Sequence, residues 1–149
     1  MPPTVESVSR SDAGLASSLR VSVARLHRRL RTEDVDGLGV SVGGLAVMSV
    51  LYRRGEQTVG QLAAAERVQP PSMTRTVTCL ERDGYVTRHP HPTDGRQVVV
   101  RLSESGQELL AVERRRRDAW LTRHLRELSP EERAVLRAAA PVLERLSNS

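Results

Sequence analysis

Lysine and phenylalanine are absent from this 149-residue sequence, and it has one cysteine, one tryptophan and two tyrosines. A single cysteine excludes a disulfide within one chain. So few aromatic rings argue against binding of single-stranded nucleic acid, which relies on base stacking. A long apolar run is also lacking, and the first residues have neither the basic patch nor the apolar stretch of a secretory signal. We therefore expect a cytoplasmic protein without a membrane partner.

All 23 basic residues are arginine, and the formal net charge is +5. Guanidinium groups suit phosphates and base edges, so the excess of arginine favours a nucleic-acid partner without proving one. GC-rich coding DNA is the plainer explanation for the choice of arginine over lysine. The sequence has no phosphate loop, nucleophile elbow, paired-cysteine framework or convincing carboxylate pair. We therefore expect neither an enzyme nor a cofactor.

Two helices are predicted in the first part of the chain. Residues 1–10 are polar and proline-containing, which predicts a flexible arm. Leucine and valine then recur at steps of three and four from Leu15, which predicts an amphipathic helix to about Thr32. Ser41 is the predicted N-cap of a second helix, which should end at Gly55. We expect Gly43-Gly44 to weaken that second helix.

Two more helices are predicted after residue 102. Ser103 to Gly106 opens a long helix whose middle, 113–118, is highly charged. Ser129-Pro130-Glu131-Glu132 combines a serine cap, a proline at the first position and a glutamate at the third, which predicts the start of a last helix. Pro141 should kink or shorten that helix.

The stretch from Thr58 to Leu102 predicts two short helices followed by two strands. A capping box, Thr58-x-x-Gln61, starts the first helix, and Gly84 should stop the second. The predicted elements are helices over 58–68 and 69–83, strands over 86–88 and 98–102, and a basic loop over 89–96. This order is that of a helix-turn-helix followed by a β-ribbon, which is a winged helix.

The helix over 69–83 has two contrasting sides. Met73, Val77 and Leu80 share one side and should face the core. The opposite side carries Pro71, Arg75, Thr78 and Arg82, with Ser72 and Cys79 on its flank. A face of this kind is typical of a helix that reads the major groove, where Arg75 would pair with guanine through two hydrogen bonds. An ordinary amphipathic surface helix is the alternative.

The loop between the strands contains a tight-turn signal, Asp94-Gly95, with Arg96 beside its tip. An arginine on a protruding ribbon can enter a narrow minor groove, and we expect Asp94 to pair with Arg96. The alternative is a solvent-exposed hairpin. His89-x-His91 with Asp94 also permits a metal site, but zinc needs more converging ligands. We therefore expect histidines that contact phosphate or are solvated.

One hypothesis is that Cys79 is a redox sensor, because oxidation on the flank of this helix would disturb DNA contact. Free cysteine is more often a small buried packing residue. We therefore expect Cys79 to be partly buried.

The segment from Val68 to Arg88, followed by Asp94-Gly95-Arg96 and Leu102-Ser103, resembles the MarR family of bacterial winged helix-turn-helix transcriptional regulators. The shared marks are Thr-Arg in the recognition helix, a Leu-Glu-x-x-Gly exit and an Asp-x-Arg wing. The resemblance implies a mainly α fold with a small β-ribbon. It also implies a homodimer, with interlocked first and last helices, that represses transcription from a pseudo-palindromic operator. A small-molecule effector often releases such proteins from DNA.

By this resemblance, residues 11–149 form one domain. Within it, 11–33 and 103–147 are the dimerisation helices and 41–102 is the winged helix-turn-helix. Ser72, Arg75, Asp94 and Arg96 match DNA-contact positions of the family. The full set of predicted DNA-binding residues is Gln69, Pro71, Ser72, Arg75, Thr76, Arg88, His91, Asp94 and Arg96. The alternative function is a winged helix that binds another protein and no duplex, against which the basic wing and Arg75 argue.

Overall fold

The computed structural model describes residues 11–32 and 37–149, in which six helices accompany a small antiparallel sheet. The elements are α1 Asp12–Thr32, α2 Val42–Arg54, β1 Gln57–Thr58, α3 Val59–Glu66, α4 Pro70–Arg82, β2 Val86–Pro90, β3 Val98–Leu102, α5 Glu104–Arg126 and α6 Pro130–Ser147. The predicted mainly α fold is confirmed. The expected arm at residues 1–10 lies outside the described residues. In the described part of the chain, no helix is long and apolar enough to cross a membrane.

Two predicted capping boxes set the starts of α3 and α6. At α3, Thr58 Oγ1 accepts the Gln61 N–H at 3.1 Å, and the Gln61 side chain accepts the Thr58 N–H at 2.8 Å. At α6, Ser129 and Glu132 make the same pair of bonds, at 3.1 and 2.8 Å. Each box satisfies backbone donors that have no partner inside the helix. Each helix start is therefore set by a motif of four neighbouring residues.

The sheet has three strands in the order β1-β3-β2, all antiparallel, where the sequence predicted a two-stranded ribbon. The additional strand is β1, whose Gln57 and Thr58 pair with Val100 and Val99. Strand β2 also runs two residues further than predicted, so that Pro90 pairs with Val98. Proline is tolerated there because β2 is an outer strand, where a missing N–H breaks no second ladder.

The hydrophobic core joins α2, α3, α4 and the sheet. Its buried members are Val40, Leu45, Val47, Met48, Val50, Leu51, Leu62, Ala63, Met73, Val77, Leu80, Val86, Val100 and Leu110. The predicted stripe of α4 is confirmed, since Met73, Val77 and Leu80 are each at most 2% exposed. The core therefore fixes how α4 is rotated about its own axis.

The described chain forms two compact units, the first ending at Ala111 and the second running over Val112–Ser149. In the second unit, Arg117 pairs with the buried Glu113 one helical turn earlier. The Trp120 ring stacks on His124 with centroids 3.9 Å apart. Helix α6 continues through Pro141 to Ser147, so the expected shortening does not occur.

Large apolar side chains remain exposed on two helices at opposite ends of the sequence. In α1 they are Leu15, Val23 and Leu26, and in α6 they are Val135, Leu136, Val142, Leu143 and Leu146. None of the residues of α6 is buried. A single copy of this chain thus leaves both apolar stripes in contact with water.

The first turn of α2 contains a glycine, Gly44, that lies against Leu80 of α4. The predicted N-cap is confirmed, because Ser41 Oγ accepts the Gly44 N–H at 3.0 Å. A Cβ atom at Gly44 would lie 2.7 Å from Val40 Cγ1 and 3.2 Å from Leu80 Cδ2. At Gly43 the nearest atom would be Ser41 Oγ, at 3.9 Å. Close packing therefore requires glycine at position 44 but not at 43.

Substitution of Gly43 and Gly44 by alanine should distinguish the closely packed position from the open one. Gly44→Ala should lower the free energy of unfolding by about 1–2 kcal/mol, because overpacking costs more than the gain in helix propensity returns. Gly43→Ala should instead raise it by up to about 1 kcal/mol. Chemical denaturation of both variants measures the two changes. Changes of the same sign and size would contradict the packing described for Gly44.

Candidate nucleic-acid interface

The outward face of α4 is the central feature of the candidate interface. Pro71, Arg75, Thr78 and Arg82 are all exposed, as the sequence predicted. They lie opposite the buried stripe, so burial of that stripe turns this face towards solvent. A convex helix face with arginine and hydroxyl side chains has the shape and donors that fit a major groove.

The first turn of α4 offers polar groups at the positive end of the helix dipole. Gln69 is the N-cap residue, but its side chain makes no capping bond. Ser72 is exposed in the same turn. Thr76 is half-buried, and its hydroxyl donates to the Ser72 carbonyl at 3.1 Å. Gln69 and Ser72 are therefore more available to an anion or a base edge than Thr76 is.

The two arginines on this face differ in their partners. Arg82 Nε bonds Asp83 Oδ1 at 3.2 Å, and this hydrogen bond raises the pKa of Arg82 above its ordinary value. The guanidinium of Arg75 forms no ion pair with any described residue. It lies beside a shallow cavity of about 310 Å³ that Ser41 and Cys79 also line. Arg75 is thus the cation of α4 that is ready for an external partner.

Cys79 is exposed, and the expectation of partial burial is wrong. That expectation rested on the general tendency of free cysteine to be buried. Its position on the helix explains the exposure, because Cys79 lies about 100° around the helix from Leu80, outside the narrow buried stripe of α4. Cys79 therefore faces the same cavity as Arg75.

The wing, defined here as residues 86–102, ends in a turn that Asp94 organises. The Gln97 N–H donates to the Asp94 carbonyl at 3.1 Å. Asp94 Oδ1 accepts the backbone N–H of Arg96 at 3.1 Å, and Oδ2 accepts from the Gln97 amide at 3.2 Å. Asp94 thus pairs with Arg96, as expected, but through the Arg96 backbone N–H. An aspartate at the first position of a turn bonds the nearby backbone, which leaves the Arg96 guanidinium exposed.

The two wing histidines take part in bonds within the wing. His91 Nδ1 accepts the backbone N–H groups of Thr93 and Asp94, at 3.2 and 3.0 Å. His89 Nε2 lies 2.8 Å from Thr87 Oγ1. The described residues contain no group of three or more His, Cys, Asp or Glu that is placed to hold a metal ion. His91 therefore holds the shape of the turn, and its Nε2 edge is the polar group left for an outside contact.

Two ion pairs that were not predicted from the sequence join the wing to the rest of the fold. Arg88, a predicted contact residue, bonds Glu81 of α4, with Nε 3.0 Å from Oε2. Arg101 bonds Glu56, with Nε 2.6 Å from Oε2. The first pair carries a signal in the sequence, because opposite charges stand on either side of the short connection from α4 to β2. The second joins residues 45 positions apart, which no local pattern reveals.

Comparison with known proteins gives concordant matches. A model of the MarR family matches residues 41–98. A protein named as an uncharacterized HTH-type transcriptional regulator of Mycobacterium bovis is 47% identical over 133 residues, which cover 89% of this chain and 92% of that protein. The HTH-type transcriptional repressor MdtR of Bacillus subtilis is 27% identical over 132 residues, covering 84% and 81% of the two chains.

Solved structures also match over nearly the whole chain. A candidate transcriptional regulator from Pseudomonas aeruginosa is 35% identical, with a TM-score of 0.80 and 99% of both chains covered. A MarR family protein from Bacillus stearothermophilus is 26% identical, with a TM-score of 0.72, covering 95% of this chain and 98% of that one.

The role of His91 can be tested in the whole protein, without DNA, from the amide exchange of two wing residues. His91→Ala should accelerate exchange of the Thr93 and Asp94 amide hydrogens, because it removes their acceptor, with a local loss of about 0.5–1.5 kcal/mol. His91→Asn keeps a short side-chain acceptor suited to turns and should restore much of the protection. Amide exchange measured by NMR checks both variants. Unchanged exchange in His91→Ala would rule out this role.

Proposed function

This chain belongs to the MarR family of helix-turn-helix transcriptional regulators, which bind DNA as dimers, and we propose that it is a homodimeric repressor reading a pseudo-palindromic operator in the cytoplasm. The observation that carries the proposal is the exposed face of α4, with Arg75 at its centre, whose guanidinium forms no ion pair with any described residue. Arg96 at the tip of the wing supplies a second cation for the same duplex. The two arginines suit the two grooves of B-form DNA.

In the proposed complex, α4 lies in the major groove. Arg75 donates two hydrogen bonds to a guanine, which is the commonest specific contact of an arginine with DNA. Gln69 and Ser72, at the start of the helix, bond a phosphate or a base edge. Pro71 and Thr76 lie in the same first turns of α4 and form part of the surface that fits the groove. Sequence preference should therefore concentrate on the few base pairs beneath the first two turns of α4.

The wing makes the second contact. Arg96 enters the adjacent minor groove, where the negative potential attracts a guanidinium. Asp94 and His91 support this contact by holding the turn that carries Arg96. Arg88 lies at the base of the wing, where its ion pair with Glu81 joins the wing to α4. The wing thus adds affinity and fixes the register of the protein on the duplex.

A homodimer is supported by the apolar stripes of α1 and α6. Large exposed apolar patches on one chain commonly mark an interface. Pairing of two copies would cover these stripes and bring two α4 helices to one face of the duplex. The proposed half-sites are then about one helical turn apart, roughly 34–36 Å.

Repression and an effector complete the proposal. The B. subtilis relative MdtR is named a repressor, which supports the same direction of regulation here. The proposed effector is a small molecule, as the family resemblance implies.

A winged helix that binds another protein and no duplex is the competing function. Selection of bound fragments from random duplex DNA separates the two, because a protein-binding module would enrich no motif. The exposed Arg75 and Arg96 favour the duplex.

Arg75→Ala should weaken binding to the selected operator by about 1–3 kcal/mol and relax the preference at one base position. Arg137→Ala, which removes an exposed arginine from α6, is the control for loss of charge and should bind nearly as the wild type does. Fluorescence anisotropy on the operator and its single-base variants gives both results. Equal affinities of Arg75→Ala and the wild type would refute the assignment of α4.

Leu143→Glu should shift the protein from dimer to monomer, because it places a charge in the apolar stripe of α6. Ala134→Glu adds the same charge on the opposite side of α6 and should leave the dimer intact. Sedimentation velocity across a concentration series measures the mass of each variant. A dimer of unchanged strength in Leu143→Glu would exclude α6 from the interface.

A further inference from the structure

The wing carries three arginines, and two of them are already neutralised within the fold. Arg88 is held by Glu81 and Arg101 by Glu56. Arg96, at the tip, has no ion pair with any described residue. The charge that the wing presents to a duplex is therefore smaller than its arginine count suggests.

Arg88 makes two contacts with α4. Besides the bond to Glu81, its Nη2 donates to Thr78 Oγ1 at 3.1 Å. The Thr78 hydroxyl in turn donates to the Thr74 carbonyl at 2.8 Å. Thr78 belongs to the exposed face of α4, so Arg88 lies beside the surface that would meet DNA. Its side chain is only 35% exposed.

We propose that Glu81 is a specificity-determining residue, because it holds Arg88 against α4 and keeps this guanidinium from binding phosphates. The inference rests on the proposed function as a DNA reader. A free arginine beside the reading face would bind the phosphates of any sequence and so strengthen non-specific binding. An arginine paired with a carboxylate adds little to that term, and the carboxylate itself repels phosphate. Arg88 then acts as a positioning residue that fixes the wing against α4.

The second ion pair of the wing supplies a matched control. Arg88 is opposite Val100 in the ladder, and Arg101 follows Val100 on β3. Side chains of successive strand residues point to opposite faces of a sheet. The Glu56–Arg101 pair is therefore an equivalent pair on the face away from α4.

Salt titrations of the full chain on a non-specific duplex test the proposal. Glu81→Gln should steepen the fall of log affinity with log salt by about 0.9 for each released arginine, or about 2 per dimer. It should also tighten non-specific binding severalfold at low salt and reduce the ratio of operator to non-specific affinity. Glu56→Gln should leave the slope unchanged. The double variant Glu81→Gln with Arg88→Gln should return the slope to that of the wild type.

The double variant also gives the decisive comparison with the wild type. If Arg88 bound phosphates in the wild type, the double variant would have a lower slope, as Arg96→Gln should. A lower slope in the double variant, or an unchanged slope in a Glu81→Gln variant with native circular dichroism, would overturn the proposal. If Glu81→Gln does not fold, the double variant decides the question. A wild-type protein that binds no duplex would instead refute the proposed function.

Discussion

Burial of one narrow stripe on α4 is the constraint on which the candidate interface depends. Met73, Val77 and Leu80 can all be buried in only one rotation of the helix, and that rotation turns Arg75 outward. The alternative rotation would bury a guanidinium without a partner, which costs several kcal/mol. Gly44 belongs to the same constraint, since only glycine lets α2 approach Leu80 so closely. The outward face of α4 is thus a consequence of core packing.

Features that depend on neighbouring residues could be predicted from the sequence. Capping boxes need four residues, and the stripe of α4 needs one helical period, so both were found correctly. Strand β1 was missed because two residues contain no alternation to detect. Its strand character comes from β3, about forty residues later in the chain. The same holds for the end of β2, where proline suggested a loop and pairing with Val98 made it a strand.

The charge that the protein presents to DNA is harder to predict from the sequence than its helices and strands are. Composition shows 23 arginines but not which of them have partners, and the partners decide what an approaching duplex meets. Glu81 removes Arg88 from that surface, and Asp94 bonds the backbone N–H of Arg96 rather than its guanidinium. The general tendency of free cysteine predicts burial of Cys79, whereas its place beside the buried stripe of α4 leaves it exposed. The family resemblance located the contact surface, and the structure was needed to distinguish paired from unpaired cations.

The edges of the sheet have a consequence for molecules crowded along one stretch of DNA. An exposed strand edge is a template for pairing with another chain. Here one edge is β1, with two residues, and the other is β2, which ends at Pro90, a residue without an N–H group. Both edges are therefore short, and the end of β2 lacks one donor, which limits pairing of the sheet with that of a neighbouring copy.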